Sequence, residues 1–205
     1  MFEEAFKTEL TFVSEDKLQI DKLWNEVCNH YSEPSRHYHN LSHLNNLLEH
    51  LEVVKHKIQL WQVVIFALAY HDIIYNIFKQ DNEQKSALLA ERRLIEMNLP
   101  GASIEKCKQM ILATKDHQVN ADNDINYFSD ADLAILGSGT SSYQLYVNNI
   151  RKEYSYFPDL IYKPARLKIL RHFLRMERIY KTEYFFKKLE SQARENIQKE
   201  IQQLL

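Results

Sequence analysis

"WQVVIFALAYHDIIYNIF", Trp61 to Phe78, decides how the chain is read. From Val63 to Ala69 every residue is apolar. Such a run fits a helix buried on all sides, at the centre of a larger helical core. The pattern predicts that helix over residues 60–78. Two residues break it: His71 and Asp72, side by side at the edge of the run. A carboxylate taken out of water without a partner costs several kcal/mol. The pair therefore calls for a salt bridge, a hydrogen-bonded site or a metal ion.

The rest of the chain frames that helix. Its 205 residues are 45 % hydrophobic and 26 % charged, the mix of one globular domain with a sizeable core. Three glycines and four prolines leave few turn residues for strands and hairpins. The expected fold is all-α, a single-domain helical bundle over residues 1–205. A net charge of −2 offers no basic field for a nucleic acid polymer or an anionic membrane. Cys28 and Cys107 are too few for a disulfide framework. The opening "MFEEAFKTEL" lacks the design of a signal peptide, so a cytoplasmic location is expected. Oligomeric state is not legible.

Helical spacing recurs along the chain. Ser14 precedes a stripe of Leu18, Ile20, Trp24, Val27 and Tyr31. Leu41, Leu44, Leu47, Leu48 and Leu51 share another face. Asp81 or Asn82 starts a helix that Pro100-Gly101 ends, and Ser103 caps the next. "DHQVNADNDINYF", Asp116 to Phe128, reads as a loop; Ser129 or Asp130 then starts a short helix reaching Gly137. Thr140 opens a long helix, Pro158 and Pro164 bracket a loop, and Thr182 begins the last helix.

Two further polar stretches sit among these helices. "RHYHNLSH", Arg36 to His43, holds three histidines and an arginine in eight residues. His39 and His43, four apart, can share a helix face. "FSDADLAIL" holds Asp130 and Asp132. Asp130 reads equally as a helix cap or as a ligand, whereas Asp132 stands inside the turn beside Leu133, Ile135 and Leu136. Two imidazoles and two carboxylates make a mixed nitrogen and oxygen site, suited to Mn, Fe, Co, Ni or Zn, with Mg also possible. Helical bundles gather such ligands from separate helices.

The order His … His-Asp … Asp on helices resembles the HD-domain superfamily of metal-dependent phosphohydrolases, and within it a group of small bacterial HD proteins. The matching stretches are "EPSRHYHNLSH", "AYHDIIY", "NEQKSA", "ILATKDH" and "DADLAILG", from Glu33 to Gly137, with "IRKEY" and "RIYKTEYF" extending the likeness. The resemblance implies a motif core over about 33–137 with C-terminal helices 140–205 packed on it. It implies metal ligands His43, His71, Asp72 and Asp132, with His39 the alternative first ligand and Asp130 the alternative last. It also implies hydrolysis of a small phosphate ester or anhydride, nucleotide-like.

One departure narrows this. Several HD hydrolases place acidic residues for proton transfer just after the doublet, where this chain has Ile73, Ile74 and Tyr75. That argues against alarmone hydrolysis and makes Glu83 the nearest substitute. Asp72 can orient the attacking water through its second oxygen. Arg36, His39 and Lys115 are expected to hold the phosphate, with Arg151 a further cation. His117 reads in three ways: a helix-terminal histidine facing water, a phosphate contact or proton donor, or a ligand to a second metal. Two alternatives stay open. One is a dinuclear HD-type oxygenase using His117 and His39; the other is a non-catalytic HD scaffold that binds a nucleotide or a partner protein.

Overall fold

The computed structural model describes all 205 residues as ten α-helices and two short 3₁₀ turns, with no strand. The all-α expectation holds. The helices group into two compact units, Met1–Ser129 and Asp130–Leu205. The division falls inside one continuous helix. No helix is long and apolar enough to cross a membrane.

The first unit begins with α1 (Phe2–Thr11), which the sequence reading did not anticipate. Its acidic surface hides a stripe of only three apolar residues, Phe2, Phe6 and Leu10, all buried. Phe6 meets Trp24 of α2 (Lys17–Tyr31) and Phe66 of the central helix. α3 (Leu41–Val54) is capped by Asn40, whose side chain accepts from the Ser42 amide. α4 (Trp61–Tyr70) is that central helix, with every residue from Val63 to Tyr70 buried. α5 (Asn82–Glu96) and α6 (Gly101–Ala113) pack on each other, and both contact α4.

α4 is shorter than the predicted 60–78. It stops at Tyr70, with His71 in the cap position. The reason is tertiary. The Asp72 and Ile73 carbonyls accept from Arg36, at 2.7 and 2.9 Å. The Asp72 amide donates to the Tyr31 hydroxyl and the Ile74 amide to the Ser86 hydroxyl. Backbone groups that a longer helix would have paired internally find side chains instead.

α7 (Asn123–Asp132) replaces part of the predicted loop. Its polar sequence misleads because a buried carboxylate lies on its inner face. Asp124 accepts from the Gln59 and Leu60 amides and from Lys106 Nζ, which ties the start of α7 to the start of α4. Burial works to raise the Asp124 carboxyl; Lys106 and the two amides overcome this and hold it below the usual range.

In the second unit a 3₁₀ turn at Leu133–Gly137 leads to α8 (Thr140–Glu153), α9 (Asp159–Arg175) and α10 (Glu183–Leu204). Pro158 and Pro164 do not bracket a loop: Pro158 caps α9, and Pro164 sits inside it on the exposed side. A buried Arg166–Glu200 pair at 2.7 Å joins α9 to α10. Gly137 lies so close to α10 that an added Cβ would stand 2.6 Å from Leu189 Cβ and 2.7 Å from its carbonyl oxygen.

Gly137→Ala should therefore lower the unfolding free energy by about 1–3 kcal/mol through overpacking, read as a lower urea midpoint. Asp124 has a depressed folded pKa, so its contribution to stability is present above the ordinary carboxyl value of about 3.9 and is lost as pH falls below it. Asp124→Asn should flatten that acid limb in a pH series of thermal melts.

Candidate metal centre

The centre is built where three segments of the first unit meet: the turn 36–40, the first turn of α3, and the end of α4. His71 is buried because it ends a helix that is itself buried. Its Nδ1 is 2.9 Å from the Leu68 carbonyl oxygen. A carbonyl only accepts, so Nδ1 carries a hydrogen, and Nε2 is the ring nitrogen that faces the site. This outer hydrogen bond is the usual orienting device for a ligating imidazole.

His71 Nε2 is 3.1 Å from His43 Nε2 and 3.1 Å from Asp72 Oδ2. Two bare lone pairs at such a distance repel. Either a proton or a shared cation must lie between the rings. Two nitrogens bound at about 2.1 Å to one tetrahedral ion stand about 3.4 Å apart, close to what is seen. Asp72 Oδ2 is also 3.9 Å from Nε2 of both His39 and His43. Burial works to raise the Asp72 carboxyl; His71 foremost, then His39 and His43, overcome this and hold it well below the usual carboxylate range. Of His43, His71 and Asp72, the aspartate is the most open, with 20 % of its side chain exposed against 4 % for His43 and none for His71.

His39 and His43 do not share a helix face. His39 lies in the turn before the Asn40 cap, and His43 in the first turn of α3. The turn still brings their rings to 5.7 Å. Tyr38 packs edge-on to His39, and Tyr75 lies against His39 at 4.5 Å.

α7 also borders the centre. Phe128 on this helix stands edge-on to the His71 ring, at 5.8 Å. Asp132 is the last residue of the same continuous helix. His43 and His71 both belong to a group of side chains that could hold a metal ion. Asp130 is engaged elsewhere. It is fully buried and accepts from the Lys181 amide and from the amide and hydroxyl of Thr182, at 2.7–2.8 Å. It thus fixes the start of α10, and its burial pushes its carboxyl up.

The other named residues divide. Arg36 is turned onto backbone carbonyls with 1 % of its side chain exposed, which leaves it no face for a phosphate. Lys115 and Glu83 come together, 4.0 Å apart, with Lys115 Nζ also donating to the Gln80 carbonyl. His117 is buried beyond the end of α6 in the left-handed region, φ 50°, so it does not face water. Arg151 serves the α8–α9 corner, paired with Asp159 at 2.9 Å and donating to the Tyr154 and Phe157 carbonyls.

The sequence reading missed Tyr38 and Tyr75, which pack against the histidines, Tyr31, whose hydroxyl accepts from the Asp72 amide, and Lys181. Lys181 is a buried lysine whose ammonium donates to the Ile179 carbonyl and lies 3.8 Å from Asp130. Burial pushes this ammonium down, against the charges of Asp130 and Asp132. The three tyrosines were visible as residues flanking the histidine and His-Asp stretches. Lys181 gave no signal in a segment rich in cations.

Compared with known proteins, the chain matches no family model, no curated protein and no solved structure.

The donor set makes a direct forecast. Adding Co²⁺ or Zn²⁺ at about 100 times the dissociation constant should stabilise the folded protein by about 2.7 kcal/mol. Thermal melts should show this in the wild type and not in His71→Ala. The gain should shrink in acid, where imidazoles must give up a proton to ligate.

Proposed function

We propose that this chain is a metal-dependent phosphohydrolase acting on a small, nucleotide-like phosphate ester or anhydride. The observation that carries the reading is the convergence of His43, His71 and Asp72 at the end of α4. They occur in the chain order of the HD-domain proteins that the sequence resembles. In this reading His43 and His71 ligate through Nε2, Asp72 through one oxygen, and Asp132 from the end of α7.

When bound, the cation would supply Lewis acidity toward water and phosphate oxygens. The chain supplies the rest. Asp72 keeps a second oxygen that can accept a hydrogen bond from the attacking water and orient it. His39, part-exposed and 3.9 Å from Asp72, is assigned the substrate contact. Lys115 is the remaining cation for the phosphate, and Glu83 beside it is a proton acceptor in place of the acids missing after the doublet. His117 is assigned to proton transfer. With Arg36 committed to the backbone, the phosphate depends on Lys115 and the ion.

A second reading, a dinuclear centre, draws on His39 as a third imidazole near Asp72. Metal stoichiometry separates the two, at one ion per chain against two.

The test is phosphate release from a panel of phosphomonoesters, nucleotides and cyclic nucleotides with Mn²⁺, Co²⁺ or Mg²⁺ added. Turnover should appear for at least one nucleotide-like compound and fall to the no-enzyme level in His71→Ala and Asp72→Ala. Absence of turnover across the panel, in protein that binds metal, would favour a non-catalytic scaffold.

A further inference from the structure

We infer that Arg36 is a positioning residue for the metal centre, a clamp that holds the two ligand-bearing segments, 36–43 and 71–75, together from inside. It does so without touching ion or substrate. The inference rests on the metal-centre reading above.

The geometry is specific. Arg36 Nη1 donates to the Asp72 carbonyl at 2.7 Å and to the His39 carbonyl at 3.3 Å, and Nη2 donates to the Ile73 carbonyl at 2.9 Å. One planar group therefore bonds the backbone of both segments. Its Cζ lies over the rings of Tyr31 and Tyr75, 4.9 and 5.3 Å from their centroids. The same rings serve the ligands. Tyr31 accepts from the Asp72 amide, and Tyr75 packs at a tilt against His39. Its ion-pair partner is Glu33, 3.6 Å away and 43 % exposed.

A buried guanidinium is costly unless its charge is met. Here it is met largely by carbonyl dipoles and ring faces. Charge-assisted bonds to carbonyls are about twice as strong as neutral ones. They fix where the Asp72 and His39 backbones sit, and so where those side chains start. A surface arginine set out for phosphate would show the opposite: an open fork and few backbone partners. Lysine cannot replace this group, since one ammonium has no planar fork to span three carbonyls on two segments.

The test compares wild type, Arg36→Lys and Arg36→Gln by Co²⁺ titration, following visible absorbance. Thermal melts in chelator report folding separately. We expect a ligand-field band in the wild type. Both variants should bind Co²⁺ at least about tenfold more weakly, with the band shifted, the size of loss typical for groups that orient ligands. Should both variants fail to fold, Tyr75→Leu carries the test, since it removes one aromatic ring from the guanidinium and the ring contact with His39. It should weaken Co²⁺ binding in the same direction. Wild-type affinity and spectrum in a folded Arg36→Lys, or in Tyr75→Leu where the Arg36 variants do not fold, overturns the clamp and leaves the metal reading standing. A wild-type protein with no band overturns the metal reading and the clamp with it.

Discussion

α4 is buried on every side, and the backbone groups at its C-terminal end therefore cannot turn to water. That constraint organises the first unit. The Leu68 carbonyl takes the His71 Nδ1–H, the Asp72 and Ile73 carbonyls take Arg36, and the Asp72 and Ile74 amides reach Tyr31 and Ser86. Each bond satisfies a group that burial would otherwise penalise by about 1–3 kcal/mol. Together they stop the helix at one residue and aim His71 Nε2 at His43. The site is thus a consequence of how a buried helix ends. The candidate ligands His43 and His71 stand in the first turn of α3 and in the cap position of α4, backbone that is itself fixed, as a coordination site requires.

α7 repeats the logic at its two ends. Asp124 near its start satisfies two amides ahead of α4, and Asp130 near its end satisfies two amides ahead of α10. These carboxylates are structural, whereas Asp132, two residues beyond Asp130, is only half-buried. Three acids of one type on one short helix therefore do different work. Only their burial and partners tell them apart.

Much of this was legible in the sequence, and the same physics accounts for what was not. The Val63–Ala69 run marked the buried helix because so continuous an apolar stretch leaves no side to face water, and His71-Asp72 stood out against it. The end of that helix was not legible, because it is set by Arg36, Tyr31 and Ser86, which are distant in sequence. α1 was missed because three large apolar residues in ten carry little periodic signal, and α7 because buried aspartate reads as loop. Arg36 was read as a phosphate group since a sequence shows its charge but not its carbonyl partners. Pro164 was read as a breaker, yet it is accommodated on the outer face of α9. His39 and His43 have helical spacing, but Asn40 caps the helix between them.

If the end of α4 is a metal centre, one divalent ion belongs between His43 and His71. Anomalous diffraction from crystals grown with Co²⁺, measured at the cobalt edge, tests this most directly. One strong peak is expected, at bonding distance from Nε2 of both histidines and from carboxylate oxygens of Asp72 and Asp132. No peak at that locus, with cobalt found only on surface residues, would contradict it.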